Sequence, residues 1–239
     1  MIQQNIEKEI LTPIFVFWDT SVNLQQQELI KDALYDLFHF VVLRNAKIFF
    51  LGDFQFEIPN KYYPSIKIFD DVIAWAWNSE RNRLCWEKFY VCLNDNFPEN
   101  NRKIWKIGFS NKEIYSSEND YLIGGADGRT TLISLNWLPN MGVETIEEMT
   151  LRKEALRTEI FHEVGHILGL PTTRRGQNKL ENLIGLHCMN PGCSMKQGMS
   201  VPDDWIENTK IRLNNGGDPY CQDCVKDLSQ SIQLGLELI

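Results

Sequence analysis

A chain of 239 residues has room for one sizeable core, or for one domain with a smaller appendage. With 43% hydrophobic and 23% charged residues and no low-complexity tract, it has the composition of an ordinary globular protein. A formal net charge of −8, with a pI near 5.1, argues against nucleic acid as a partner, because phosphate contacts need clustered Lys and Arg.

The N-terminal stretch MIQQNIEKEILTPIFVFWD has no basic region followed by an apolar one, so no secretory leader is expected. No apolar run is long enough for a membrane span. The cytoplasm is therefore the expected location, and thiols stay reduced there. On that basis the six cysteines favour metal binding over disulfides wherever their spacing suits it.

Ile14 to Trp18 (IFVFW) reads as a buried strand, and Asn23 to Leu43 follows with helical periodicity. His39 lies on that helix as a structural residue. Ala46 to Leu51 is a second strand, and Val72 to Leu93 reads as one further helix. Cys85 and Cys92, within it, read as small buried apolar residues. From Ile104 onward come short β-rich runs, IWKIGF, YLIGG and TTLISLNWL, separated by turn residues. TIEE at Thr145 to Glu148 has the form of a capping box before a long helix. That helix carries an apolar stripe from Leu151 to Leu168 and should end near Gly169, because Pro171 follows. A boundary is expected at Gly169/Leu170. Residues 1–169 alternate helices and strands; residues 170–239 read as loop-rich and hold four of the six cysteines. The basic stretch TTRRGQNK, Thr172 to Lys179, reads as a solvated loop.

The chemistry concentrates in FHEVGHILGL, Phe161 to Leu170. His162 and His166 are one helical turn apart, so both rings leave the same face. Two imidazoles at that spacing can reach one tetrahedral zinc. Glu163 follows the first of them. From there its carboxylate can take a proton from a zinc-held water and later deliver it to a leaving amine. A core helix with two satisfied histidines is the plainer alternative, but three such polar residues are costly to bury without a task.

The third ligand is not at the compact spacing, where Thr172 stands. Gly169 can adopt the left-handed conformation that lets the chain leave the helix sharply. Fifteen residues, PTTRRGQNKLENLIG (171–185), then precede Leu186-His187-Cys188. His187 is the only His after the zinc helix and is the expected ligand. Glu181, on a short helix that Asn178 to Leu186 could form, is its rival. Further on, Cys188-x4-Cys193 and Cys221-x-x-Cys224 can supply four thiolates to a closed structural zinc.

His162-Glu163-x-x-His166-x-x-Gly169, His187-Cys188-x4-Cys193-x-Met195 and Cys221-x-x-Cys224 together resemble the archaemetzincin family of metzincin-type zinc peptidases. The resemblance is detailed over about residues 100 to 224 and includes IGFSNKEIYSSENDYLIGGADGRTTLISLNWL before the zinc helix. It implies an α+β metzincin-like fold: a twisted, mostly parallel mixed sheet, long helices and a small zinc-stapled C-terminal subdomain. It implies two zinc ions, the catalytic one on His162, His166 and His187 and the structural one on Cys188, Cys193, Cys221 and Cys224. It further implies Glu163 as general base and Met195 as the Met-turn residue beneath the site. A strand beginning Gly128, Arg129, Thr130, Thr131, Leu132 would be the edge that pairs with an extended substrate.

The chain departs from the family in the 171–185 insert and in a longer spacer between Met195 and Cys221. The insert reads as a loop at the cleft, where Arg174 and Arg175 would influence substrate choice. The expectation is a monomeric zinc-dependent peptidase acting on peptides or proteins, with no nucleic acid or membrane partner. The alternatives are a catalytically inactive zinc-scaffold peptide binder and, more remotely, a redox protein using Cys221-x-x-Cys224.

Overall fold

A computed structural model describes residues 13–41, 47–52, 65–95, 104–137, 145–175, 180–182, 185–198 and 203–237. Residues 1–12, on which most of the leader reading rests, lie outside it, as do 176–179 and 183–184 of the insert.

The elements run β1 (Ile14–Trp18), α1 (Leu24–Phe40), β2 (Ile48–Gly52), α2 (Phe69–Ala76), β3 (Trp77–Asn78), β4 (Arg83–Cys85) and α3 (Trp86–Asp95). They continue with β5 (Trp105–Ser110), β6 (Ile114–Tyr115), β7 (Gly124–Asp127), β8 (Thr130–Ser134) and α4 (Ile146–Ile167). The C-terminal part adds β9 (Leu180–Asn182), β10 (Leu186–Cys188), α5 (Asp203–Asn214) and α6 (Gln222–Glu237).

The main sheet has the order β2-β1-β5-β8-β7. β1, β2, β5 and β8 pair in parallel and β7 runs antiparallel at one edge. A parallel sheet must be covered on both faces, and β5 and β8 are buried at every position. Ile14, Val16, Ile107, Phe109 and Ile133 share one core with Ile30 and Leu34 of α1 and Leu156 and Ile160 of α4. Phe17 and Leu132 point the other way, into a core with Phe69 of α2 and Phe89 of α3. The period of two along the strands thus separates two helical layers. This is the mostly parallel α+β architecture the resemblance implies.

Both long helices begin on capping boxes, Asn23 with Gln26 and Thr145 with Glu148. Two expectations fail. Val72 to Leu93 is not one helix: α2 stops at Ala76, β3 and β4 form a small antiparallel pair, and α3 starts at Trp86. The polar run NSERN interrupts the apolar periodicity, and Asn82 takes a left-handed φ of 54° in the turn. The region after Gly169 is also not merely loop-rich, since it contains α5 and α6. The buried face of α5 is Trp205, Thr209 and Arg212, so its helical stripe is mostly polar and hydrophobic patterning does not reveal it. Arg212 bonds Glu154 at 2.8 Å and the Thr158 hydroxyl at 3.2 Å, which fixes α5 against α4. Among the described residues, no helix is long and apolar enough to cross a membrane.

Candidate metal centres

α4 carries the first site in its last turns. Buried Leu156, Ile160, Val164 and Ile167 hold it against the sheet, and His162 and His166 leave one face a turn apart. The chain exits at Gly169 with φ 87°, the left-handed conformation expected there. It returns as the β9–β10 ladder, in which His187 is the register partner of Glu181. The described part of Asn178 to Leu186 is therefore strand, not a short helix. The Glu181 carboxylate is held in an ion pair with Lys196.

The ligand atoms of His162, His166 and His187 lie within 4.8 Å of one another. His166 Nε2 is 3.2 Å from His162 Nε2 and 3.3 Å from His187 Nε2. A tetrahedral zinc with bonds of about 2.0–2.1 Å sets its nitrogens about 3.4 Å apart. Each opposite ring nitrogen is committed: His162 Nδ1–H donates to Ser194 O at 2.7 Å, His166 Nδ1–H to Leu170 O at 3.0 Å and His187 Nδ1–H to Gly185 O at 3.1 Å. These bonds fix the tautomer and leave three Nε2 lone pairs facing one another. Such an arrangement is repulsive without a cation between them, so the residues fit a bound metal. Burial keeps the rings neutral. With the neighbouring ring it pulls His166 down to about 3, and it pulls His187 down to about 4.

Glu163 is buried beside these rings, and burial pushes its carboxyl up to about 8. It sits against β7: a Cβ built on Gly124 would lie 2.6 Å from the Glu163 Cγ and Cδ. One turn earlier, Glu159 is fully buried, and Trp137 Nε1 donates to its Oε2 at 2.6 Å. Burial, and secondarily the Glu163 charge, holds the Glu159 carboxyl well above the usual carboxylate range. Beneath the helix lies Met195, fully buried; a Cβ on Gly165 would collide with its Sδ. The Tyr220 hydroxyl donates to Phe161 O at 2.7 Å, tying the start of α6 to α4. Trp205 meets the His162 ring edge-on, with centroids 5.0 Å apart.

The second cluster is Cys188, Cys193, Cys221 and Cys224, whose sulfurs also lie within 4.8 Å of one another. None is in a disulfide. Cys188 and Cys221 Sγ are 3.7 Å apart, and Cys193 and Cys224 Sγ are 3.5 Å apart. A tetrahedral zinc with Zn–S bonds of about 2.3 Å sets its sulfurs about 3.8 Å apart, so this donor set also fits. Cys221-x-x-Cys224 stands at the start of α6 rather than in a loop.

Two readings of the cleft need correction. Thr130, Thr131 and Leu132 are not on an edge strand: β8 lies between β5 and β7, and Gly128 and Arg129 form the turn joining β7 to β8. The edge is β7, Gly124–Asp127. The β-rich run YLIGG overlaps β7 only at Gly124 and Gly125, whose missing side chains gave no sign that the strand continues to Asp127. Nor is the basic insert simply a solvated loop. Arg174 is exposed, but the Arg175 side chain is only 5% exposed and reaches the cysteine cluster.

No protein-family model matches the chain. The archaemetzincin of Pyrococcus horikoshii is 25% identical over 161 residues, 66% of this chain and 72% of that one. The crystal structure of an archaemetzincin from Methanopyrus kandleri superposes with a TM-score of 0.61 at 14% identity, over 95% of this chain and 99% of that one. The chain is thus similar to archaemetzincins in sequence and in fold. A zinc-dependent peptidase from Methanocorpusculum labreanum shares the fold at a TM-score of 0.58 and 17% identity, over 90% of this chain and 99% of that one. Within this archaemetzincin-like scaffold the elements that flank the site are α4, β7, β10 and the segment around Met195. Sequence patterning missed Gly124, Gly165, Tyr220 and Glu159. The one signal available was Gly165 inside a buried helix, where a glycine marks a close approach.

Proposed function

We propose that this chain is a zinc metallopeptidase of the archaemetzincin family. His162, His166 and His187 hold the catalytic metal, and Cys188, Cys193, Cys221 and Cys224 hold a structural zinc. The observation that carries the reading is the convergence of three Nε2 lone pairs, each fixed by a carbonyl behind it, beside a buried carboxylate with no ligand role. When bound, zinc supplies the Lewis acidity that polarises a peptide carbonyl and acidifies a water at neutral pH. Everything else falls to the chain. Glu163 takes the water's proton on its carboxylate and passes it to the leaving nitrogen. Burial raises its basicity toward neutrality, which suits a group that must both accept and release a proton.

The outer edge of β7, which among the described residues pairs only with β8, lies along the site and offers backbone groups to an extended peptide, with Gly124 giving Glu163 room to face it. Met195 serves as the packed floor under Gly165. Residues 1–169 contribute the sheet, the helices and Glu163. Residues 170–239 contribute the third ligand, Met195 and the cysteines, as a subdomain of the same catalytic domain. Four thiols outside disulfides suit the cytoplasm, and a monomer acting on peptides, without nucleic acid or membrane partners, completes the proposal.

Metal analysis and peptide-library cleavage by wild type and Glu163→Gln test this. The expectation is two zincs per chain in both, with cleavage reduced about 10²–10⁴-fold in the variant. Two zincs with no cleavage of any peptide by wild type would mean a binding scaffold instead.

A further inference from the structure

The insert 171–185 separates Gly169 from His187, and its Arg175 turns into the cysteine cluster. Arg175 Nη1–H donates to Cys188 Sγ at 3.2 Å and Nη2–H to Cys224 Sγ at 3.1 Å. The same guanidinium donates to Asp227 Oδ2 from Nε at 3.1 Å and from Nη2 at 2.6 Å. Thr172 N–H donates to that oxygen at 2.9 Å, so Asp227 fixes both the arginine and the chain that carries it. Asp227 follows Cys224 by three residues on α6, on the same side of the helix. The arginine therefore bridges one cysteine from each pair, Cys188 beside the third histidine and Cys224 of the C-x-x-C.

We propose that Arg175, carried by the 171–185 segment, is a positioning residue of the cysteine metal site. The proposal rests on the four-thiolate zinc reading. Four thiolates around a divalent cation leave a surplus of two negative charges in a buried place. A guanidinium 3.1–3.2 Å from two of the sulfurs offsets part of that surplus and fixes where those sulfurs stand. A planar fork spreads its donors over two sulfurs and a carboxylate, whereas a lysine ammonium presents its three from a single nitrogen. Zinc bound there should be held more firmly because Arg175 is present. The insert thereby ties the return to His187 to the stapled tail.

The test uses the full chain loaded with zinc and, in parallel, with cobalt. Transfer of metal to a chromogenic chelator is timed, and the phase absent from Cys221→Ser identifies the cysteine site. Arg175→Met should release that metal about 10–100 times faster than wild type, with Arg175→Lys between the two. The thiolate-to-cobalt charge-transfer band should move to lower energy in Arg175→Met, because the sulfur lone pairs lose their N–H donors; a purely packing role would leave it in place. A folded Arg175→Met with the wild-type release rate and an unmoved band overturns the proposal. Should that variant fail to fold, Asp227→Asn frees the guanidinium from its anchor and should show both changes on a smaller scale. An unmoved band in Asp227→Asn then overturns the proposal. A zinc content that Cys221→Ser does not lower overturns instead the four-cysteine metal reading, a failure seen in metal analysis alone.

Discussion

Gly124 and Gly165 set the room available to Glu163 and Met195. Both act through the side chain they lack, which is why composition and periodicity pass over them. The histidines and cysteines were legible because metal binding demands particular residue types at particular spacings. A glycine under a carboxylate has no such signature. Gly124→Ala should displace Glu163, since the new Cβ would fall 2.6 Å from its Cγ and Cδ. The backbone there has an ordinary negative φ, so folding should survive. Expected is a fall in kcat of about tenfold to a hundredfold with both zincs retained, read from steady-state kinetics beside metal analysis. Unchanged kcat would mean that Glu163 does not need its observed position. Arg175 is the opposite case. Its charge was visible in TTRRGQNK, but nothing local to that stretch marks the thiolates and Asp227, up to 52 residues away, that bury it.

At the scale of elements, strands and helices with apolar stripes were readable. β1, the long α1 and α4 follow from period-two or period-3.6 patterning and from their capping residues. What escaped lacked a long apolar stripe. α5 packs through Thr209 and Arg212, β9 and β10 are three residues each, and β7 is GGAD. The edge strand was consequently assigned one strand too far into the sheet. β5 shows a cost of central placement. Lys106 lies within it, fully buried, and burial, with the Arg129 charge second, pulls its ammonium down to about 8. Below pH 8 both folded and unfolded chains carry the proton. Between 8 and the unfolded value near 10.5 the unfolded chain holds more protons, so stability rises with pH. Wild type should gain about 2 kcal/mol between pH 8 and pH 10 relative to Lys106→Met, measured by chemical denaturation at each pH. A constant difference between the two proteins would show that burial does not perturb this lysine.

On the scale of the whole molecule, the histidine and cysteine clusters share one framework. His187 and Cys188 are adjacent on β10, Ser194 O holds His162, and Tyr220 next to Cys221 holds Phe161 O. The cysteine cluster therefore sets where the third imidazole and the floor of the first site stand, across a fifteen-residue detour in sequence. Anomalous diffraction at the zinc edge from crystals of the full chain tests this arrangement most directly. The account predicts two peaks, one equidistant from Nε2 of His162, His166 and His187 and one centred among the four cysteine sulfurs. A single peak, or a first peak bound by the Glu181 carboxylate in place of His187, would contradict it.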